Sequence, residues 1–418
     1  MLIVQKYGGS SLQGADRIRS VAERVLTARH DGHDVVVVCS AMGDTSDELI
    51  DLAQTVSSNR PAREMDMLLT SGERVSNALV AMAVHNLGGT ARSLSGAQAG
   101  IYTDGRHGAA RIVEVSPTRV REVLDQGAVP FVSGFQGIFA ESGDLTTLGR
   151  GGSDVTAVAL AAALSADLCE IYTDVDGVFT ADPRLVACAR LLDAVSTAEM
   201  LEMAAAGAKV LMPRCAAYAY RHDVAIHVRS SFTGRPGTLV SNAVEVGSME
   251  GSCVTGVAHT RAVAQITVSG ASLDPMATSE LFDVLAQSGI TVDMVQRSGP
   301  PTGHGVAFIV PGPDGPRALE LLKRQCEKSG HGQVRCDSGM SQVSLVGVGI
   351  GSERADVVAR LCRTLAEDGI GIGPVAASEL RVSALCPADR LDDAVRALHR
   401  AFGLDGATVT LVDEGAGR

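Results

Sequence analysis

Asp34-Val35-Val36-Val37-Val38-Cys39-Ser40 is apolar at successive positions rather than alternate ones. A strand of that kind is covered on both faces, as in a parallel sheet with helices above and below. It ends in a small-residue turn, Ser40-Ala41-Met42-Gly43-Asp44-Thr45. Upstream, a strand from Leu2 to Lys6 stops at Tyr7-Gly8-Gly9-Ser10-Ser11, and a helix-period segment runs from Asp16 to Arg29. Downstream, the pattern gives a helix at Arg74 to His85, a strand at Val129 to Ser133 and a helix after Gly152. Strands at Leu168 to Thr173 and Val224 to Val228 follow, then the turn Gly234-Arg235-Pro236-Gly237. This order predicts an α/β class, an open and mostly parallel sheet sandwiched by helices over about 240 residues. Ligands of such sheets collect beyond the carboxyl ends of the strands, where all three glycine or serine turns are expected to fall.

The third of those turns is Thr146-Thr147-Leu148-Gly149-Arg150-Gly151-Gly152-Ser153-Asp154, leading into the alanine-rich segment Val155 to Ala166. It puts glycines, Ser153 and Asp154 at a helix N-terminus, a place for an anion, with Arg150 able to grip a carboxylate or phosphate through two parallel hydrogen bonds. Lys6-Tyr7-Gly8-Gly9-Ser10-Ser11 is not a Walker A loop, because the lysine precedes the glycines. The glycines still allow close backbone approach to phosphate, and the lysine adds a point charge at the strand end. Taken alone, Glu73-Arg74 reads as an exposed helix pair, and Asp174, Asp176 and Asp182 as turn formers around Gly177 and Pro183. Lys209 alone reads as a solvated helix residue, His227 as a satisfied core histidine, and Met200, Met203 and Met212 as core packing.

Beyond Gly237 the chain enters a linker without clear period and then repeats itself. Ala264-Gln265-Ile266-Thr267-Val268-Ser269-Gly270 is echoed by Ser341-Gln342-Val343-Ser344-Leu345-Val346-Gly347, and Ala286-Gln287-Ser288-Gly289-Ile290 by Ala366-Glu367-Asp368-Gly369-Ile370. An offset of roughly 80 residues makes each unit a small domain rather than a solenoid turn. Each adds two strands and a second helix, at Gly305 to Val310 with Gly315 to Lys328, and at Glu379 to Leu385 with Leu391 to Phe402. The pattern βαββαβ is ferredoxin-like. The expected domains are 1–240, a linker and lead-in strand at 241–262, and two modules at 263–338 and 339–418.

The 418 residues carry a net charge of −12 without a block of Lys or Arg, which argues against a nucleic-acid partner. Aromatic residues are 3% and Trp is absent, so no stacking platform for bases is expected. Nine cysteines without a C-x-x-C pair read as reduced core residues rather than a metal site or a disulfide framework. With no basic leader and no apolar run of about 18 residues, no membrane is expected and the cytoplasm is the expected compartment.

Together with Gly72-Glu73-Arg74 and the string Tyr172-Thr173-Asp174-Val175-Asp176-Gly177-Val178-Phe179-Thr180-Ala181-Asp182-Pro183-Arg184, these turns closely resemble the aspartate kinases of the amino acid kinase superfamily. The resemblance covers essentially the whole chain. It implies the amino acid kinase fold followed by two ACT modules, and transfer of the ATP γ-phosphoryl group to the β-carboxylate of L-aspartate. It implies Lys6 on the transferring phosphate, Asp154 orienting Lys6 or organising the magnesium-phosphate charge, and Arg150 on the substrate carboxylate beside Gly151, Gly152 and Ser153. Glu73 would receive the substrate ammonium and Thr45 other polar groups of the substrate. The nucleotide would meet Lys6, Tyr7, Gly8, Gly9, Ser10, Ser40, Thr173, Asp174, Phe179, Asp182, Arg184 and Lys209, with Mg²⁺ carried in on ATP and no metal site of the protein's own.

The family's ACT modules bind lysine or threonine, and there this sequence departs from the pattern. Pro275-Met276 and Arg354-Ala355 stand where Pro-Gly is usual, Thr291-Val292-Asp293 replaces Asn-Ile-Asp, and the following Gln296 is displaced. Gly371-Ile372-Gly373-Pro374-Val375-Ala376-Ala377 replaces a segment that normally supplies Asn, Ser and Thr. Asp293 and Gln296 are thus altered effector positions, and lost or retuned feedback is expected. The resemblance further implies a homo-oligomer formed through the ACT modules. Met249, ahead of Val254-Thr255-Gly256-Val257-Ala258, marks a candidate internal start for a regulatory chain. A kinase of an aspartate analogue, and a catalytically silent amino-acid sensor, are the alternative readings.

Overall fold

The computed structural model describes residues 1–243, 253–270, 275–298, 304–329 and 332–405. Two compact units divide these residues. The first takes Met1–Val178, Leu191–Ala205 and residues 209–243. The second takes Phe179–Arg190, Ala206–Ala208 and the described residues from 253 on.

The first unit is built on an eight-stranded sheet in the order Ala194–Val195, Thr238–Val240, Ile226–Ser230, Leu168–Thr173, Leu2–Tyr7, Asp34–Cys39, Val129–Ser133, Ala91–Leu94. All its pairings are parallel except that of Ile226–Ser230 with Thr238–Val240. Val35 to Cys39 are fully buried, as a strand apolar at every position requires when both sheet faces are covered. One face carries the helix Ala15–His30 and part of the helix Ala62–Asn86 over Tyr7, Val35, Val37 and Phe131. The other face carries the helix Gly152–Leu164, buried throughout apart from Ala162 and Ala163, which are half-buried. Small alanine and valine side chains let that helix sit close to the sheet, and an apolar surface all round is what such burial needs.

A second sheet of four strands, Ile112–Val115, Ile101–Thr103, Gln136–Phe139 and Asp144–Thr147, stands beside the first. Its last strand leads into the Gly149 turn. That turn therefore leaves the smaller sheet, not a strand of the parallel sheet as the sequence suggested. Left-handed backbone at Gly149 and Gly151 swings the chain back to the start of the helix at Gly152. The helix expected at Arg74 begins twelve positions earlier, after Pro61, since it spans Ala62–Asn86. The expected strand at Val224 begins at Ile226, because Asp223 caps the preceding helix in left-handed conformation.

The second unit is a six-stranded antiparallel sheet in the order Asp293–Ser298, His304–Pro311, Gly256–Gly270, Gln333–Val346, Arg381–Pro387, Val375–Ala377. Its two long central strands are each shared. Residues 263 to 269 pair with His304–Pro311 and with residues 333 to 340, giving the first βαββαβ module, whose helices are Pro275–Gln287 and Gly315–Ser329. Residues 256 to 260 pair instead with 342 to 346, so the lead-in strand fills the fourth strand position of the second module, beside the helices Ile350–Glu367 and Leu391–Ala401. Only the second module takes a strand from outside its own span, with β-bulges between Thr260 and Gln265 marking where the long strand passes from one module to the other. The segment Phe179–Arg190 packs into the core of the second module through Ala181 and Val186. Thr180 accepts from the Val257 amide at 2.8 Å through its carbonyl and bonds His399 Nε2 at 3.0 Å through its hydroxyl.

Candidate active site

Four neighbouring parallel strands end side by side in short turns. Leu168–Thr173 runs into Asp174, Leu2–Tyr7 into Gly8-Gly9, Asp34–Cys39 into Ser40, and Val129–Ser133 into Gly134. Strand alternation puts Tyr7 and Lys6 on opposite faces. Tyr7 is fully buried, stacked on Tyr172 with ring centroids 4.8 Å apart, and its ring has no surface left for a ligand. Lys6 lies on the face covered by the Gly152–Leu164 helix. Its ammonium meets Asp154 Oδ1 at 2.6 Å, the two side chains being only 11% and 12% exposed.

Glycine at 8 keeps the space around that ammonium open, since a Cβ there would stand 3.4 Å from Lys6 Nζ. Gly9 is required by close backbone approach: its Cβ would fall 2.9 Å from the Gly43 carbonyl, and the Gly43 amide donates to the Gly9 carbonyl at 2.9 Å. Ser10 lies in the short 3-10 turn Gly9–Leu12, and the Ser40 amide donates to the Tyr7 carbonyl at 3.1 Å.

Over the next turn, the helix Ala62–Asn86 approaches so closely at Gly72 that a Cβ would meet Ala41 Cβ at 2.9 Å and Thr45 Cγ2 at 3.6 Å. That approach buries the neighbouring Glu73 to 3% exposure, while Arg74 stays exposed; the exposed pair read from the dipeptide does not form. Burial pushes the Glu73 carboxyl up to about 7, partly offset by hydrogen bonds from the backbone at Glu73 and Ala41, and its Oε2 meets no donor among the described residues. A native carboxyl at about 7 against an unfolded one at 4.5 means that unfolding releases a proton between those values. Stability should therefore fall as pH rises from 4.5 through 7, by about 3 kcal/mol in total, and level off above. Denaturation midpoints across that range should flatten in Glu73→Gln; an unchanged slope would assign the titration elsewhere.

The third turn brings Gly152, Ser153 and Asp154 into the first turn of their helix, with Gly151 as the preceding cap residue at φ +70°. Ser153 packs on Gly134, where a Cβ would be 2.8 Å from the serine Cβ. Arg150 is exposed. Phe135 is held at φ +66°, uncommon for an aromatic residue, and its amide donates to Thr156 Oγ1 at 3.2 Å.

Thr173 Oγ1 donates to Asp174 at 3.0 Å at the end of its strand, while Lys209 is exposed in a loop rather than a helix. Phe179, Asp182 and Arg184 belong to the second unit, where Arg184 grips Asp182 with two bonds of 3.0 and 2.7 Å. The geometry thus brings Lys6, Gly8, Asp154 and the turns at Ser40, Gly134 and Thr173 together, and separately Thr45 with Glu73. His227 donates to or accepts from nothing catalytic; its Nε2 bonds the Pro236 carbonyl at 2.7 Å. Met200 and Met203 are core, and Met212 is half-buried against Gly151.

Two buried polar residues of the long helix were not singled out from the sequence. Asp66 accepts from His107 Nδ1, the Gly108 amide and Thr147 Oγ1, and Asn77 donates to Leu94 and Phe131 carbonyls and to Ser133 Oγ. Both fall in register with the buried stripe Thr70, Glu73, Val80 and Val84, a three-and-four spacing legible in the sequence. Among the described residues no group of three or more His, Cys, Asp or Glu could hold a metal ion, and no helix is long and apolar enough to cross a membrane.

The sequence model of the amino acid kinase family matches residues 1–230, and that of an ACT domain matches residues 343–402. Aspartokinase of Mycolicibacterium smegmatis is 53% identical over the full length of both chains. The chain belongs to the aspartokinase family. Aspartokinase of Corynebacterium glutamicum is 50% identical, again over the full length of both. Among solved structures, E. coli aspartokinase III in complex with aspartate and ADP superposes with a TM-score of 0.83 at 25% identity, covering 96% of this chain and 100% of that one. As members of this family are, the protein is an ATP-dependent phosphotransferase with a carboxyl group as acceptor.

Proposed function

We propose that the protein transfers the γ-phosphoryl group of ATP to the β-carboxylate of L-aspartate, giving 4-phospho-L-aspartate and ADP. The observation that carries this reading is the enclosed Lys6–Asp154 pair at the carboxyl end of the parallel sheet, beside a helix N-terminus and a glycine turn. A β-carboxylate is ionised at neutral pH and needs no general base to attack phosphorus. One of its oxygens bonds to the γ-phosphorus while the bond to the β,γ-bridging oxygen breaks, and that oxygen leaves on ADP. The obstacle is repulsion between two anions, which fixed cations and amide dipoles relieve. Lys6 is the cation for the transferring phosphoryl group, and Asp154 holds its ammonium in place. Arg150 and the amides of Gly151 to Ser153 take the substrate carboxylate.

Glu73, with Oε2 unpartnered, takes the α-ammonium, and Thr45 lies against the same helix. Because the ammonium favours ionised Glu73, KM for aspartate should fall as pH rises towards 7. Ser10, Ser40, Thr173, Asp174, Lys209, Phe179, Asp182 and Arg184 serve the nucleotide, with Tyr7 contributing its main chain only. Mg²⁺ fits as an ion brought in on the triphosphate, because Asp154 is the carboxylate beside Lys6 and no cluster among the described residues competes for it. When bound it neutralises phosphate charge.

The test is a hydroxylamine trap with ATP, Mg²⁺ and a panel of amino acids, in which an acyl phosphate appears as a coloured hydroxamate. Signal with L-aspartate supports the reading. Signal only with glutamate or another amino acid moves the substrate, and silence across the panel from folded protein would overturn the reading.

Feedback by lysine plus threonine is lost or retuned in this reading. Asp293 is ion-paired with Arg381 at 3.3 Å and Gln296 Nε2 donates to the Val375 carbonyl at 3.2 Å, so both altered effector positions are engaged within the chain. Met276 is 70% exposed in the first turn of its helix, where the family's glycine would leave the backbone open. Sub-millimolar lysine plus threonine should leave the rate within about twofold of control; strong inhibition of the pure protein would overturn this. Oligomerisation through the ACT modules belongs to the same reading, as does a regulatory chain begun at Met249, a residue outside those described.

A further inference from the structure

Arg214 occupies the first turn of the helix Pro213–His222. A cation there opposes the helix dipole, so its position calls for another cause. Its guanidinium donates to the Leu148 carbonyl at 2.7 Å and to the Ala110 carbonyl at 2.8 Å. Burial pulls its pKa down, with Arg111 nearby adding to the effect and Asp104 opposing it. No carboxylate of the described residues lies within ion-pair distance of it. A half-buried guanidinium is thus spent on two main-chain oxygens, one of them immediately before Gly149.

The same turn holds the loop a second time. Met212 lies over Gly151, where a Cβ would come within 2.2 Å of the methionine Cγ. From the other side, Asp66 accepts from Thr147 Oγ1 at 2.5 Å and from the Gly108 amide at 3.0 Å, and the Ala110 amide donates to the Thr147 carbonyl at 2.9 Å. The chain at Thr147, Leu148 and Gly151 is therefore fixed, and Arg150, within that stretch, is the residue left exposed.

We infer that Arg214 is a positioning residue for the substrate loop: by gripping the Leu148 and Ala110 carbonyls it sets where Arg150 and the first amides of the Gly152–Leu164 helix meet the amino-acid carboxylate. This rests on the reading that the loop receives the amino-acid substrate. Arg214 itself touches no reacting atom. Its loss loosens a binding loop whose charged groups remain present, so the effect falls on the amino acid rather than on the nucleotide.

Steady-state rates of the full-length protein in the hydroxamate assay test it. Arg214→Ala should raise KM for aspartate about 10- to 100-fold, the scale of a misplaced binding group, with KM for ATP within about twofold of wild type. Millimolar guanidinium should restore much of the loss, while urea at the same concentration should not. Arg214→Lys, which keeps the charge but not the fork, should fall between the two. Unchanged KM for aspartate, or a parallel loss for both substrates without rescue, would overturn the inference. If Arg214→Ala does not fold, Arg214→Lys decides alone: KM for aspartate raised several-fold with that for ATP unchanged supports it, and two unchanged constants overturn it. A wild-type protein that phosphorylates no amino acid removes the substrate reading itself, a failure seen before any variant is made.

Discussion

Lys6→Met is expected to lower kcat by about 10³-fold while the protein still binds aspartate, as loss of a fixed charge at the transferring group does in other enzymes. The side chain has the length to fill the same space, so the change removes a charge and little volume. It also removes the partner of Asp154. A carboxylate left enclosed without its cation costs about 3–5 kcal/mol, so Lys6→Met should melt earlier as well as react more slowly. Lys6→Met with Asp154→Asn separates the two effects. The double variant should regain most of the lost stability, because neither charge is left alone, yet stay inactive. Recovery of activity together with stability would mean that Lys6 serves the fold and not the phosphoryl group. Thermal melts and hydroxamate rates on the same preparations decide between them.

Arg150→Ala should raise KM for aspartate about 10²-fold and leave the melting temperature where it was. The contrast with Lys6 follows from exposure. Arg150 is exposed between the left-handed Gly149 and Gly151, so its removal leaves no buried group unpaired. What is lost is a charge-assisted, two-pronged grip on a carboxylate, and Lys at 150 should recover only part of it because an ammonium lacks the planar fork. A shift in KM for ATP of the same size would place Arg150 on the nucleotide instead.

The parallel strands were legible because a strand buried on both faces advertises itself. Val129–Ser133 and Leu168–Thr173 fall where their β-branched and apolar runs begin and end. The strands of the smaller sheet, three or four residues each, are too short for any period to register. The helix Thr45–Val56 carries Leu49, Leu52, Ala53 and Val56 at three-and-four spacing, yet none of its residues is buried. In Ala62–Asn86 the pair Ser71-Gly72 interrupts the pattern midway. Gly72 sits there because a side chain would collide with Ala41, a tertiary reason that no local propensity carries. That same contact decides Glu73. A Glu-Arg pair on a helix reads as solvated until the partner strand end is known to lie within van der Waals reach. Lys6, Gly8, Gly9 and Asp154 could be named because glycine turns and charges at strand ends are local features. Arg214 could not, although a lone cation in a helix's first turn was a mark worth following.

The lead-in strand that completes the second C-terminal module has an evolutionary consequence. The second module is not an exchangeable cassette, because its fourth strand lies on the far side of the first. A recombination joint near residue 262 or 339 would part residues 256 to 260 from residues 342 to 346 and bare an edge of the second module's half of the sheet, while the strands of the first module stay together. Inheritance must therefore treat the pair as a single allele-sized block, and a chain begun at Met249 would still carry residues 256 to 260, the strand that completes the second module.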